Sequence, residues 1–325
     1  MKQLLLIALL LSSFFTATNA DNHFMYYKDT DRLGVPFAKD PIVLRFHNKY
    51  LMYYSLPPYK DSKNRAWNIG IAESKNHTDW KKIGEILPEA DYEKKGLCAP
   101  GAIVRNDTIH LFYQIYGNRT KDAICHAYST DGIHFTRNIS NPIFRPKEGK
   151  WTCGRAIDAE VVEYNGKYFL YFATRDPDFK IQLQGVASAP LNTDFSRNTW
   201  TQLTDYSILY PTLPWEGKCI EGATIIKRNK KLYMFYAGAY NNSPQQIGVA
   251  ESTDGITWKR LSDKPFLANG KPGYWNESES GHPCIFKDKC GRTYLFFQGN
   301  NTHGKTWILS KVRVRWKKGK PVPVY

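Results

Sequence analysis

Three carboxylates and one imidazole stand at the heads of apolar, aromatic-rich segments. Asp40 leads DPIVLRFHNKYLMYYS, Asp158 leads DAEVVEYNGKYFLYFA, Glu221 leads EGATIIKRNKKLYMFYAG, and His282 leads HPCIFKDKCGRTYLFFQ. The mouth of an apolar strand is a poor place for a core carboxylate and a good place for chemistry. Three carboxylates in one pocket suit cleavage of a glycosidic bond. One activates water, one protonates the leaving oxygen, and the charge of the third keeps the acid's pKa high. An inverting site sets acid and base roughly 6.5–9.5 Å apart, with room for the water between them.

The elements that position these groups recur. A fifth copy, APGAIVRNDTIHLFYQ, opens on Ala99, so the copies start at 40, 99, 158, 221 and 282, with spacings of 59, 59, 63 and 61 residues. Each copy reads as a short apolar strand, a polar turn and an aromatic strand, the pattern of a β-hairpin. Third-strand wording follows in several copies, as in IGIAES from Ile69, ICHAYSTDG from Ile124 and IGVAESTDG from Ile247. A fourth piece often centres on an aromatic, as in ITWKR from Ile256. Five units of four antiparallel strands describe an all-β, five-bladed β-propeller. No long helical period interrupts them. In such a ring the first strand of each blade lines the central channel, so the five leading residues converge at one mouth. One chain terminus is expected to close the last blade. The final KKGKPVPVY reads as an irregular tail, or as an edge segment through PVPVY.

The chain has 325 residues, and its first twenty, MKQLLLIALLLSSFFTATNA, have the basic start, apolar centre and small-residue end of a secretory signal. Residues 1–20 are read as a leader and 21–325 as one propeller domain, exported to a periplasm or beyond the cell. No other stretch is long and apolar enough to span a membrane. The net charge of +15 is scattered through turns. A solvated surface explains it; a preference for an acidic polysaccharide is the sharper reading. Nucleic acid is excluded as a partner by the lack of any such motif in an exported chain, and a monomer is expected. Six cysteines, Cys98, Cys125, Cys153, Cys219, Cys284 and Cys290, show no zinc-site spacing. Cys284 and Cys290 flank one turn and are candidates to pair. Cys98, Cys153, Cys219 and Cys284 lie near strand mouths and serve equally well as free thiols. Glycosylation sequons, among them those at Asn76, Asn106, Asn118, Asn138, Asn276 and Asn300, matter only in a eukaryotic host.

Asp40-Pro41 at the head of copy one, Asp158 at the head of copy three, Glu221-Gly222 at the head of copy four and Gly281-His282 in copy five resemble glycoside hydrolase family 43, five-bladed inverting glycosidases, over essentially the whole mature chain. Ala99-Pro100 is similar to that family's blade-two entrance. The resemblance implies Asp40 as general base, Asp158 as the group that sets the acid's pKa, and Glu221 as general acid. It places His282 near a central calcium ion or water cluster and implies no required cofactor. Ala159 and Ala223 stand where the family often carries proline, which marks an outlying branch. Four further residues are candidates for substrate contact: Arg155, three residues before Asp158; Trp67; Asp176, in an Arg-Asp-Pro run similar to that of the invertase-type family 32; and Gln298. A structural salt bridge is the plainer reading of Arg155.

The function expected is exported, inverting exo-hydrolysis of an oligosaccharide or polysaccharide, with α-L-arabinofuranosidase or β-xylosidase as first choices within the family. Two rivals use the same fold. A glycoside phosphorylase of the family 130 type would need a basic phosphate pocket, for which Arg155 and Arg119 are available. A non-catalytic carbohydrate-binding propeller would not need the three carboxylates.

Overall fold

The computed structural model describes residues 25–60 and 66–324; the expected leader lies outside them. Twenty strands form five four-stranded antiparallel sheets, each in simple sequential order from the axis outward. Blade one holds β1 (Lys39–Phe46), β2 (Lys49–Leu56), β3 (Asn68–Ser74) and β4 (Lys81–Ile86). Blade two holds β5 (Leu97–Arg105), β6 (Thr108–Ile115), β7 (Ala123–Ser129) and β8 (Thr136–Arg137). Blade three holds β9 (Ile157–Tyr164), β10 (Lys167–Arg175), β11 (Gln182–Pro190) and β12 (Thr201–Gln202). Blade four holds β13 (Ile220–Arg228), β14 (Lys231–Gly238), β15 (Gln246–Ser252) and β16 (Lys259–Arg260). Blade five holds β17 (Glu279–Lys287), β18 (Thr293–Asn300), β19 (Ile308–Lys317) and β20 (Lys320–Val324). Among the described residues there is no α-helix. Left-handed residue pairs close three of the inner hairpins: Asn106-Asp107, Asn165-Gly166 and Asn229-Lys230. Two positive φ angles in a two-residue loop match the twist of the flanking strands.

The second strands are buried along nearly their whole length and carry the aromatics. Tyr53, Tyr113, Tyr171, Tyr236, Phe235 and Phe296 are among the fully buried side chains. Broad flat rings suit the faces between blades, because each sheet must pack on two neighbours.

Every innermost strand breaks its ladder at the same place. Residues 40–41, 99–100, 158–159, 222–223 and 282–283 stand two against one, opposite Tyr54, Tyr113, Phe172, Tyr236 and Phe297. The first residue of each pair has positive φ: Asp40 50°, Ala99 46°, Asp158 54°, Gly222 57° and His282 41°. The second residue is proline in three blades, Pro41, Pro100 and Pro283, as a bulge allows where no ladder hydrogen bond is owed.

Side-chain bonds to backbone amides then join each blade to the next around the axis. Ser55 accepts from Ala99 N at 2.8 Å, Gln114 from Asp158 N at 2.7 Å, and Gln298 from Asp40 N at 2.9 Å. Glu160 accepts from Ile225 N at 2.8 Å, Thr224 from Ile285 N at 3.1 Å, and Cys284 Sγ from Val43 N at 3.3 Å. All five blade junctions are covered by these six contacts.

Closure settles which of the two C-terminal readings holds. The C-terminal segment is not an irregular tail; the alternative of an edge segment holds, because β20 pairs with the second half of β19 as the outer, fourth strand of blade five. The N-terminal segment closes the ring by bridging the first half of β19 through Tyr27 and Leu309, and by Phe37 to Trp307. Tyr27 thereby does for blade five what Phe144, Leu209 and Leu267 do for blades two to four, where the chain bridges back to the third strand before entering the next blade. All six cysteines are free. Cys284 is buried and engaged with Val43 while Cys290 is exposed in its turn, so of the two alternatives for Cys284 the free thiol holds and the candidate pairing does not form.

The inner strands approach closely enough to demand glycine. A Cβ on Gly101 of β5 would lie 2.0 Å from the Ala159 carbonyl oxygen of β9. Gly101→Ala is expected to lower the unfolding free energy by about 3 kcal/mol, read as a shift of the urea midpoint; an unchanged midpoint would contradict this inter-blade contact.

Candidate active site

The bulges set the site. By breaking the ladder they turn the heads of the inner strands toward the axis, where Asp40, Asp158, Glu221 and His282 line one cavity of about 280 Å³. The structure corrects the register inferred for blade four. Glu221 is not equivalent to Asp40 and Asp158, because the bulge residue there is Gly222. Glu221 occupies the paired position just before it, the place of Lys39, Cys98, Ile157 and Gly281 in the other blades. Glycine suits the bulge: φ is 57° and a Cβ would stand 3.1 Å from the His282 ring.

His282 stands between two carboxylates. Its Nδ1 is 3.2 Å from Asp40 Oδ1 and its Nε2 is 3.3 Å from Glu221 Oε1. Asp158, Glu221 and His282 each present an atom within 4.8 Å of the others. Burial disfavours charge on the imidazole, but Asp40, Asp158 and Glu221 outweigh it and raise its pKa to about 10. The folded site therefore holds an imidazolium at neutral pH. Burial pushes Glu221 upward, yet the bond and charge of His282, a Gln245 Nε2 bond of 2.7 Å and the Lys39 charge bring it down to about 2. Asp158 goes the other way. Burial, together with the Glu221 and Asp40 charges and against His282, raises it to about 7. Its Oδ2 is buried without a hydrogen-bond partner. Of the two, Asp158 thus holds a proton the more readily, and the two groups titrate together.

Amide side chains fix the carboxylates from behind. Gln182 Nε2 donates to Glu221 Oε2, and its own Oε1 accepts from Arg155 Nη1 at 3.0 Å and Arg175 Nε at 3.2 Å. Gln298 bonds the Asp40 amide and donates to Glu279 Oε1 at 2.8 Å. Burial raises Glu279 to about 7 against the Lys39 charge. Lys39 Nζ donates to Asn241 Oδ1 at 2.6 Å and lies 4.5 Å over the Trp307 ring.

Of the substrate-contact candidates, Trp67 and Arg155 line the cavity. Arg155 is also buried and bonded to Asp122 at 3.0 Å, so the salt-bridge reading of it holds as well. Gln298 is wholly buried behind Asp40 and does not line the cavity. Asp176 is not brought to the cavity either. Its Oδ1 accepts from Lys180 N at 2.6 Å and Ile181 N at 2.9 Å, closing its own loop. Sequence reasoning missed Lys39, Gln182, Gln245, Arg175, Tyr116 and Tyr240. Lys39 had a signal, since it directly precedes Asp40. The glutamines had none, because each works across strand or blade boundaries.

Asp158, Glu221 and His282 form a buried group that could hold calcium. Calcium takes six to eight oxygen ligands. Here two carboxylates face an imidazolium that already supplies the positive charge, so an ion would have to displace that proton.

Fold and mouth together define a five-bladed propeller built for carbohydrate chemistry. Residues 35–321 match the family described as Glycosyl hydrolases family 43, and the chain belongs to that family of inverting glycosidases. The fold is shared with a thermostable family-43 glycoside hydrolase, at TM-score 0.69 and 21% identity over 92% of this chain and 96% of that one. It is shared also with an endo-1,4-β-xylanase from Bacteroides thetaiotaomicron, at 0.67 and 21% over 89% and 94%. An exo-1,5-α-L-arabinanase from a bovine ruminal metagenomic library matches at 0.68 and 17% over 89% and 97%. A curated relative, a probable sucrose-6-phosphate hydrolase of Psychromonas ingrahamii, is 24% identical over 243 residues. That match covers 72% of this chain and 42% of the relative, so the chain spans less than half of the relative's length.

The His282 charge makes a signed prediction. A histidine raised in the folded state stabilises below its unfolded pKa of about 6.5, and this stability is lost as pH rises through about 10. Between these values the unfolding free energy should fall by at most about 1.4 kcal/mol per pH unit. His282→Asn should flatten that slope in urea titrations. An identical slope in both proteins would mean that the ring is neutral when folded.

Proposed function

We propose that the protein is an exported, inverting exo-glycosidase in which Asp40 is the general base, Glu221 the general acid and Asp158 the group that holds and tunes the acid's proton. The observation that carries this reading is the bridge of Asp40 and Glu221 across one imidazolium ring, with Asp158 beside Glu221. Inversion needs an acid and a base held apart, with a water on one side of the sugar and the leaving oxygen on the other, and the interposed ring keeps Asp40 and Glu221 out of direct contact. In the reaction the proton passes from Asp158 to Glu221 and on to the leaving oxygen, while Asp40 takes a proton from the attacking water. The bond from anomeric carbon to leaving oxygen breaks as the bond to water oxygen forms. Gln182, Gln245 and His282 orient Glu221 throughout.

A cavity of about 280 Å³ is at the lower end for ligand sites. That size favours one sugar at a chain end over a long segment, hence exo-action. α-L-Arabinofuranosyl and β-D-xylosyl ends are the first choices, in keeping with the arabinanase and xylanase among the structural neighbours. Export rests on the leader-like start and is checked by N-terminal sequencing of the mature protein, with an intact Met1 as the adverse result.

The deciding assay is a panel of aryl glycosides (α-L-arabinofuranoside, β-D-xyloside, β-D-galactoside and α-L-fucoside), run with and without phosphate. Phosphate-independent release is expected, with inversion at the anomeric carbon. On a substrate with a poor leaving group, Glu221→Gln and Asp40→Asn should each reduce kcat about a thousandfold in protein that circular dichroism shows to be folded. Full activity in either variant removes that residue from its role, and strict phosphate dependence would replace hydrolysis by phosphorolysis.

A further inference from the structure

One wall of the cavity carries more positive charge than the reaction uses. The ring of Phe179 gathers three guanidinium groups: Arg175 at 4.3 Å, Arg155 at 5.8 Å and Arg119 at 5.9 Å from its centroid. Phe179 is held there by the loop that Asp176 closes, with φ 61° and its amide bonded to the Asp176 carbonyl at 2.9 Å. Arg175 lies also 5.2 Å from the Tyr240 ring. Arg155, buried, and Arg175, half-buried, line the cavity, and Arg119 joins them around Phe179 from an exposed turn.

Their charges are poorly matched by acids. Asp122 pairs with Arg155 at 3.0 Å. Among the described residues, neither Arg119 nor Arg175 has a carboxylate partner; Arg175 bonds only neutral oxygens, of Gln182 and of the Phe179 carbonyl. The other carboxylates of this loop are spent elsewhere, Asp176 on its own backbone amides and Asp178 on Lys180 at 3.4 Å. Like charges repel, so three guanidinium groups around one ring, with a single acid bonded to them and the catalytic carboxylates farther along the cavity, favour a further anion beside them. A planar guanidinium stacked on aromatic rings keeps its outer N–H groups aligned for a two-pronged bond to an anionic group.

We propose that Arg119, Arg155 and Arg175, set around Phe179, form a subsite for an anionic group carried on the sugar substrate. The chemistry is that of a uronate carboxylate or a sugar phosphate, bound beside the catalytic carboxylates. This rests on the reading of the cavity as a sugar site, and it adds a specificity that the three carboxylates alone do not give. Inorganic phosphate shares the chemistry and is separated from sugar-borne anions by the test.

The test measures binding to the full-length protein and to its Asp40→Asn variant, by calorimetry at low ionic strength, so that turnover is not needed. The probes are galacturonate and glucuronate oligosaccharides beside their neutral methyl esters, glucose 6-phosphate beside glucose, and inorganic phosphate alone. At least one charged sugar should bind tenfold or more tightly than its neutral partner, with the ratio shrinking as salt rises. Arg175→Gln combined with Arg119→Ala should bring the ratio near one, and Arg175→Lys should leave it between the two. Equal binding of charged and neutral sugars, or a ratio that survives the double change, overturns the subsite. Tight binding of inorganic phosphate without any charged-sugar preference overturns it in favour of a free-phosphate site. A failed hydrolase assignment shows in the aryl glycoside panel and leaves the binding ratio readable.

Discussion

Five strands that converge on one axis cannot all remain regular, and the architecture depends on how each of them yields. Backbones approach until Gly101 faces a carbonyl oxygen at a distance no Cβ could tolerate. Each strand responds with a bulge at the same level, two residues against one aromatic of the second strand. A bulge bends its strand and re-aims its side chains. The five bulges do this together, so a crowding problem at the axis becomes a ring of functional groups at one mouth. The left-handed residues at these points are strained for anything but glycine. Bonds from neighbouring blades to the Asp40, Ala99 and Asp158 amides hold that strain in place.

Charge is arranged on the same ring with equal economy. Three buried carboxylates would repel one another strongly if all were ionised. One imidazolium among them, and the readiness of Asp158 to hold a proton, bring the cluster closer to balance. The cost of burying the imidazolium is offset by its two carboxylate contacts. The same ion that makes the cluster tolerable also holds Glu221 ionised before substrate enters. With the roles proposed for these residues, proton supply is a property of the coupled pair and its histidine.

The glutamines show how far the mechanism extends behind the cavity wall. Gln182 joins Glu221 to two arginines of blade three, Gln298 joins the Asp40 amide to Glu279, and Gln245 joins Glu221 to the Ala239 carbonyl at 3.0 Å. Gln245 also presses on Gly281, where a Cβ would stand 1.8 Å from its Oε1. Position at the mouth is thus transmitted from blade to blade through Gln182 and Gln298, amides that donate and accept at once without carrying charge, while Gln245 only donates.

The sequence alone determined the number of blades, the strands within them and the residues at the mouth. An apolar strand, a polar turn and an aromatic strand, repeated five times, call for five sheets packed face to face around one axis, and a carboxylate at a strand head has no core to join. It also carried the family, through Asp40-Pro41, Asp158 and Glu221-Gly222. Tertiary structure decided what depends on contact between distant segments. Register at Glu221 was misread by one residue, because a bulge is set by crowding at the axis and not by the order of residues. The ring's closure was only half legible, since Tyr27 and Leu309 are a whole chain apart and pair only once the circle shuts. Asp176 read as a site residue and proved to close a loop, and Gln298 proved to stand behind Asp40. The charge states of Asp158, Glu221 and His282, and the arginines around Phe179, were beyond the sequence altogether. They come from burial and from the distances among groups that only the folded ring brings together.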